Sequence, residues 1–176
     1  MKKVKLLICA MFLGLIANAQ FVLTPNDFVD KTKPDNSYLV FDFDGKTQKE
    51  IYELALNSLI QIYNSPKDVI SKAEYTGITV TGIGSEKVAY KIWGYDIYYS
   101  LTLQFKDGKM KVDAPNIILI KHQNPKATIS EISMKNIFDK NGEIKNEKTK
   151  TSIESYFNML ISRIVENMQP KKNENW

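Results

Sequence analysis

From Tyr95 to Phe105 the chain alternates without a break. Tyr95, Ile97, Tyr99, Leu101, Leu103 and Phe105 fall on one parity, Asp96, Tyr98, Ser100, Thr102 and Gln104 on the other. A period of two sends successive side chains to opposite faces of a strand, so this segment buries one face and wets the other. Antiparallel sheets behave this way, whereas strands buried on both faces read as continuous apolar runs. The segment ends at Lys106-Asp107-Gly108-Lys109, with Asp-Gly at the centre of a tight hairpin turn. A partner strand is expected at Met110–Val112, continued by Ile117–Ile120 beyond Pro115.

The remaining elements follow from changes of period. Tyr38 to Phe43 is a first strand, ended by Asp44-Gly45. Thr47 then starts a helix, with Glu50 placed to close a capping box; Ile51, Leu54, Ala55, Leu59 and Ile62 recur at helical spacing until Asn64-Ser65-Pro66. Asp68–Tyr75 and Gly77–Ile83 form a hairpin pattern, and Lys87–Trp93 alternates like a further strand. A second long helix is expected from Thr151, with Glu154 completing its cap and a stripe running from Ile153 to Met168, while Glu154, Arg163 and Glu166 face water. Residues 20–37 read as an irregular lead-in. Residues 122–150 read as a polar loop with one short helix near Ser130–Phe138, and 169–176 as a tail. The order over residues 38–168 is β-α-β-β-β-β-α. That is an α+β domain in which two helices pack on one face of one antiparallel sheet.

Residues 1–19 have the three parts of a cleavable export signal. Lys2, Lys3 and Lys5 precede an apolar stretch from Val4 to Ile16, and Ala17-Asn18-Ala19 supplies the cleavage pattern before Gln20. The apolar stretch is too short to span a bilayer, and no other approaches that length. Removing the leader from 176 residues leaves 157, enough for a single domain with its own core. Three of the 24 basic residues leave with it, so 21 face 20 acidic ones. That balance gives no electrostatic footprint for nucleic acid or an anionic membrane. The only cysteine, Cys9, is also lost, so no disulfide is available.

Several segments together resemble a known family of secreted bacterial proteins. They are Gly45-Lys46-Thr47 entering Glu50-Ile51-Tyr52, then Gly77 to Gly84, then Tyr99 to Lys109. The family is domain of unknown function 4468, with a TBP-like (TATA-box-binding-protein-like) fold. The resemblance covers roughly residues 38–121 and implies that fold and an exported setting. It implies no catalytic residues.

The chemistry-bearing residues point the same way. Asp42-Phe43-Asp44-Gly45 resembles the opening of a haloacid-dehalogenase-type phosphatase, but Lys46 stands where Thr or Val is wanted and no later acidic pair exists for Mg²⁺. Asp42-x-Asp44-Gly45 and Asp139-Lys140-Asn141-Gly142-Glu143 echo Ca²⁺ loops but lack the position-twelve Glu and read as turns. Gly77, Gly82 and Gly84 belong to a strand and the bend after it, not to a phosphate-cradling helix start, and read as bulge or turn glycines. His122 is the single histidine and reads as an ordinary exposed one. It cannot build a zinc cluster, and no nucleophile elbow accompanies it. A sole arginine, Arg163, leaves almost no bidentate anion clamps.

The sequence is therefore that of an uncharacterised exported protein. It reads as a non-catalytic binding or structural module of the cell envelope, located in periplasm, envelope or medium. No metal or cofactor is expected, nor any nucleic-acid partner or membrane span. An envelope protein or glycan is the expected partner, and the chain is read as a monomer or weak homo-oligomer. The alternative is a hydrolase using carboxylates of the 122–150 loop. Because two helices cover one sheet face, the other is left for partners. Strand parity assigns Lys91, Trp93, Tyr98, Thr102 and Gln104 to that face. Tyrosine and tryptophan suit it as flat, amphipathic anchors.

Overall fold

In a computed structural model, residues 20–84, 94–124, 126 and 131–169 are described. The elements are β1 (Phe21–Leu23), β2 (Phe28–Asp30), β3 (Tyr38–Asp42), α1 (Gln48–Ile62), α2 (Pro66–Val69), β4 (Ile70–Ala73) and β5 (Gly77–Gly84). They continue with β6 (Tyr95–Lys106), β7 (Lys109–Asp113), β8 (Asn116–His122), β9 (Glu131–Ile132), α3 (Met134–Ile137) and α4 (Glu147–Asn167).

The alternation in β6 decides the architecture. Its odd residues from Tyr95 to Phe105 are all buried, and the even ones are half-buried or exposed. All the pairings are antiparallel, in the order β3-β7-β6-β5-β4, with β8 beside β6 and β9 beyond β8. β7 pairs with Leu103–Lys106 and β8 with Tyr95–Ser100, so together they flank one side of β6. Pro115 separates them because it has no N–H to give the ladder. Just before it, the Ala114 N–H turns to the Ser37 carbonyl at 2.8 Å.

Helices α1 and α4 cover the odd face of β6. α1 starts as its sequence dictates: Thr47 Oγ1 accepts from the Glu50 N–H at 3.3 Å, and Glu50 Oε2 accepts from the Thr47 N–H at 2.8 Å. Those bonds from Thr47 hold the Glu50 carboxyl below its ordinary pKa. α4 packs beside α1, where the buried Ser58 hydroxyl donates to the Ile164 carbonyl at 3.0 Å. Edge-to-face aromatic contacts tie the layers: Phe157 to Tyr99 at 5.2 Å, Phe28 to Phe157 at 5.3 Å, Phe21 to Phe28 at 6.0 Å. Each fully buried aromatic or aliphatic side chain here contributes about 1.5–3 kcal/mol.

Three expectations need correction. The lead-in is not wholly irregular: Phe21–Leu23 and Phe28–Asp30 pair as a hairpin whose turn is closed by Thr24 and Asp27. Phe21, Leu23 and Phe28 are buried, so a short apolar alternation outweighed the Pro and Asn content around it. The second long helix starts at Glu147, not Thr151. Asn146 caps it by accepting from the Thr149 N–H at 3.0 Å, and Glu154 is drawn inward to the hairpin instead of facing water. The short helix is confined to Met134–Ile137, capped by Ser133 with Asn136. The strand expected at Lys87–Trp93 lies outside the described residues.

Candidate functional site

The even parity of β6 builds a second face, the one away from the helices. Tyr98, Thr102 and Gln104 all lie on it, as expected, whereas Lys91 and Trp93 fall outside the described residues. The centre of this face is small and polar. Thr102 and Thr79 are cross-strand partners with hydroxyls 3.1 Å apart, and Thr81 lies opposite Ser100 in the next row. Tyr98 stands further along, between Ile83 on β5 and Leu119 on β8. Val40 and Ile83 are 44% and 57% exposed, so nothing among the described residues covers these strands.

At the Gln104 end the face dips into a shallow concavity of ≈ 730 Å³. The register of β3 on β7 makes it, setting Asp42 opposite Lys109, Val40 opposite Lys111 and Tyr38 opposite Asp113. Gln104 is brought into this hollow; Tyr98 and Thr102 are not. The Gln104 Nε2 donates to Asp113 Oδ2 at 2.7 Å, and Lys111 Nζ approaches Asp113 Oδ1 at 2.9 Å. Lys111 Nζ also sits 5.3 Å from the Tyr38 ring centroid. Lys109 pairs with Asp42, whose hydrogen bond and charge raise the lysine above its usual pKa. Both carboxylates are thus already neutralised. Lys33 and Lys106, which also line the hollow, make no ion pair among the described residues, leaving it net basic.

These lysines were missed in the sequence reading. Lys109 and Lys111 alternate with buried Met110 and Val112, a pattern that marks them as outward-facing. Their meeting with Tyr38 and Lys33 depends on a pairing across some 70 residues, which no local pattern reveals.

A second concavity, of ≈ 660 Å³, lies where α1 ends against β5 and α4. The Tyr63 and Tyr99 hydroxyls are 2.7 Å apart, and the Tyr156 hydroxyl donates to that of Tyr99 at 3.2 Å. Glycines make room for them. A Cβ on Gly82 would come 2.8 Å from the Tyr99 hydroxyl oxygen, and one on Gly84 would come 2.4 Å from Tyr156 Cζ. Close approach, not a bulge or turn, explains these two glycines. Burial pushes the Tyr63 phenol up to about 12 and raises Tyr99 further. Such phenols stay neutral and serve as hydrogen-bond links, not as bases.

His122 also differs from expectation. It is only 4% exposed and packs edge-on to Tyr95, 4.7 Å between ring centroids. Its Nδ1 accepts from the Asn124 N–H at 2.7 Å, which places the neutral-form proton on Nε2. On the 122–150 segment, Asp139 Oδ1 accepts from the N–H groups of Asn141 and Glu143, as a turn residue does. Among the described residues, no three His, Cys, Asp or Glu side chains are grouped to hold a metal. No described helix is long and apolar enough to cross a membrane.

Comparison with known proteins agrees with this architecture. No curated protein matches the chain. Similar crystal structures include two at 12% identity, a level that speaks to fold alone. One is a TBP-like protein from Parabacteroides distasonis ATCC 8503, with TM-score 0.61 over 75% of this chain and 90% of that one. The other is a DUF4468 family protein from Bacteroides ovatus ATCC 8483, with TM-score 0.60 over 77% and 87%. Residues 38–118 match the family described as a domain of unknown function (DUF4468) with TBP-like fold. Sheet order and helix placement agree with that match, so over residues 38–118 the chain is similar to the DUF4468 domain and its fold is TBP-like.

Proposed function

We propose that the protein is exported and serves as a non-catalytic binding module of the cell envelope, engaging its partner through the sheet face away from the helices. The observation that carries this reading is the openness and chemistry of that face. The even-numbered side chains from Tyr98 to Gln104 and from Tyr38 to Asp42 share it, and its hollow is shallow and edged by lysines. Catalysis by a carboxylate pair needs two acids free to exchange protons in one cavity. Asp42 and Asp113 are instead held by Lys109, Lys111 and Gln104. The tripartite leader supports export.

The test uses residues 20–176 and the envelope fraction of the source bacterium. The wild-type chain should co-sediment with the envelope, as should Met159→Glu on the exposed side of α4. The double variant Gln104→Glu/Lys106→Glu should stay in solution with unchanged melting. Equal behaviour of all three would overturn the assignment to this face. Release of soluble envelope fragments by the wild type would overturn the non-catalytic reading. The protein should be found outside the cytoplasm with its N-terminus at Gln20; recovery from the cytoplasm alone would overturn export, and exported protein starting at Met1 would overturn cleavage of the leader.

A further inference from the structure

The edges of the sheets are treated differently. On β1, the Phe21 and Leu23 N–H groups are taken up by Asn158 and Glu154. β4 is four residues long and carries exposed Lys72, a charge of the kind that discourages edge pairing. Among the described residues no side chain caps the outer edge of β3, and its one charge, Asp42, is already paired with Lys109. Its pairing with β7 runs without a register shift over five residues, and exposed Val40 stands at its middle.

The direction of its free hydrogen-bonding groups follows from the ladder. The Ala114 N–H bonds the Ser37 carbonyl at 2.8 Å, and the Phe43 N–H bonds the Gly108 carbonyl at 2.7 Å. In an antiparallel pair the bonded residues alternate. Ser37, Leu39, Phe41 and Phe43 therefore turn their backbone towards β7. Tyr38, Val40 and Asp42 turn N–H and C=O away from the sheet, while their side chains line the basic hollow.

We propose that this edge pairs with the same edge of a second copy of the chain, antiparallel, about a two-fold axis at Val40. The sequence of the edge is self-complementary in that register. Val40 meets Val40 of the second copy, which covers an exposed apolar side chain. Tyr38 stands opposite Asp42 of the second copy, a phenol donor facing a carboxylate acceptor. Lys33 lies in the turn leading into Tyr38, at the strand end that receives Asp42 of the second copy, and it has no ion-pair partner among the described residues. Three outward residues exchanging paired bonds give roughly six backbone hydrogen bonds across the axis. So short an interface falls below the ~1,200 Å² of stable complexes, so the dimer is weak and concentration-dependent. It joins the two outer sheet faces into one continuous surface.

Residues 20–176 contain no cysteine, which makes a single introduced thiol diagnostic. Bonded partners on such a ladder have Cα atoms about 5.5 Å apart, within the ~4.4–6.8 Å range of disulfides. Val40→Cys should oxidise to a disulfide-linked dimer much faster than Ser71→Cys on the opposite edge. By sedimentation equilibrium, the wild-type mass should rise towards twice the monomer with concentration, and Val40→Lys should abolish the rise while leaving circular dichroism unchanged. Equal cross-linking at both positions, a concentration-independent wild-type mass, or a rise that survives Val40→Lys would each overturn the proposal. The thiol experiment stands even if the lysine variant folds poorly.

Discussion

The side-chain amide of Asn158 on α4 behaves as a strand partner for Phe21. Its Oδ1 accepts from the Phe21 N–H at 2.8 Å and its Nδ2 donates to the Phe21 carbonyl at 2.9 Å. One turn earlier, Glu154 Oε1 accepts from the Leu23 N–H at 2.7 Å while Lys150 holds the same oxygen at 2.6 Å. A helix thus satisfies the backbone of an edge strand and fixes the hairpin over the core. Asn158→Leu should destabilise residues 20–176 by about 1–3 kcal/mol in urea unfolding, because a donor and an acceptor at a part-buried strand lose their partners. An unchanged midpoint would show that the hairpin is held by Phe21 and Phe28 packing alone.

The two faces of β6 should respond oppositely to truncation. Leu101 is fully buried, so Leu101→Ala should cost about 2–5 kcal/mol. Thr102→Ala removes one cross-strand hydroxyl contact and should cost under about 1 kcal/mol. Thermal melts of the pair check the parity directly, and a larger loss for Thr102→Ala would contradict it.

Gly84→Ala should destabilise by about 1–3 kcal/mol, since its methyl would collide with the Tyr156 ring. Combining it with Tyr156→Ala should cost less than the sum of the two single changes, because the collision disappears. A double-mutant cycle showing simple additivity would refute close approach as the reason for this glycine.

Alkaline pH should weaken the fold through the tyrosine cluster. Tyr63 is raised from 10.0 to about 12, and Tyr99 is raised too, so the unfolded chain loses these protons first. The Tyr63 contribution is fully present below pH 10 and is lost as pH rises through about 12, and Tyr99 acts in the same direction. Stability measured across that window should fall less steeply in Tyr63→Phe than in the wild type.

Much of the fold was legible in the chain because its determinants are local. The alternation of β6, the Asp107-Gly108 turn and the Thr47–Glu50 cap each depend on residues within one element, and all three formed as read. Where two local patterns competed, tertiary contact chose. Glu154 sat three residues after Thr151 like a capping partner, but the Leu23 N–H recruited it and Asn146 became the cap. Of the face residues read from parity, Tyr98, Thr102 and Gln104 lie together on the outer face, since parity depends only on position along a strand.

By itself, then, the sequence determined the α+β class, which side of β6 enters the core, and where α1 begins, all set by periodicity and short-range hydrogen bonding. Only the tertiary structure decided which lysines gather around Gln104, why Gly82 and Gly84 carry no side chain, and which strands end the sheet among the described residues. Those features arise where β3 meets β7 and where Tyr99 and Tyr156 meet β5. Contacts between residues so distant in the chain leave no periodic trace, because strand register is fixed by packing of whole faces rather than by neighbouring residues.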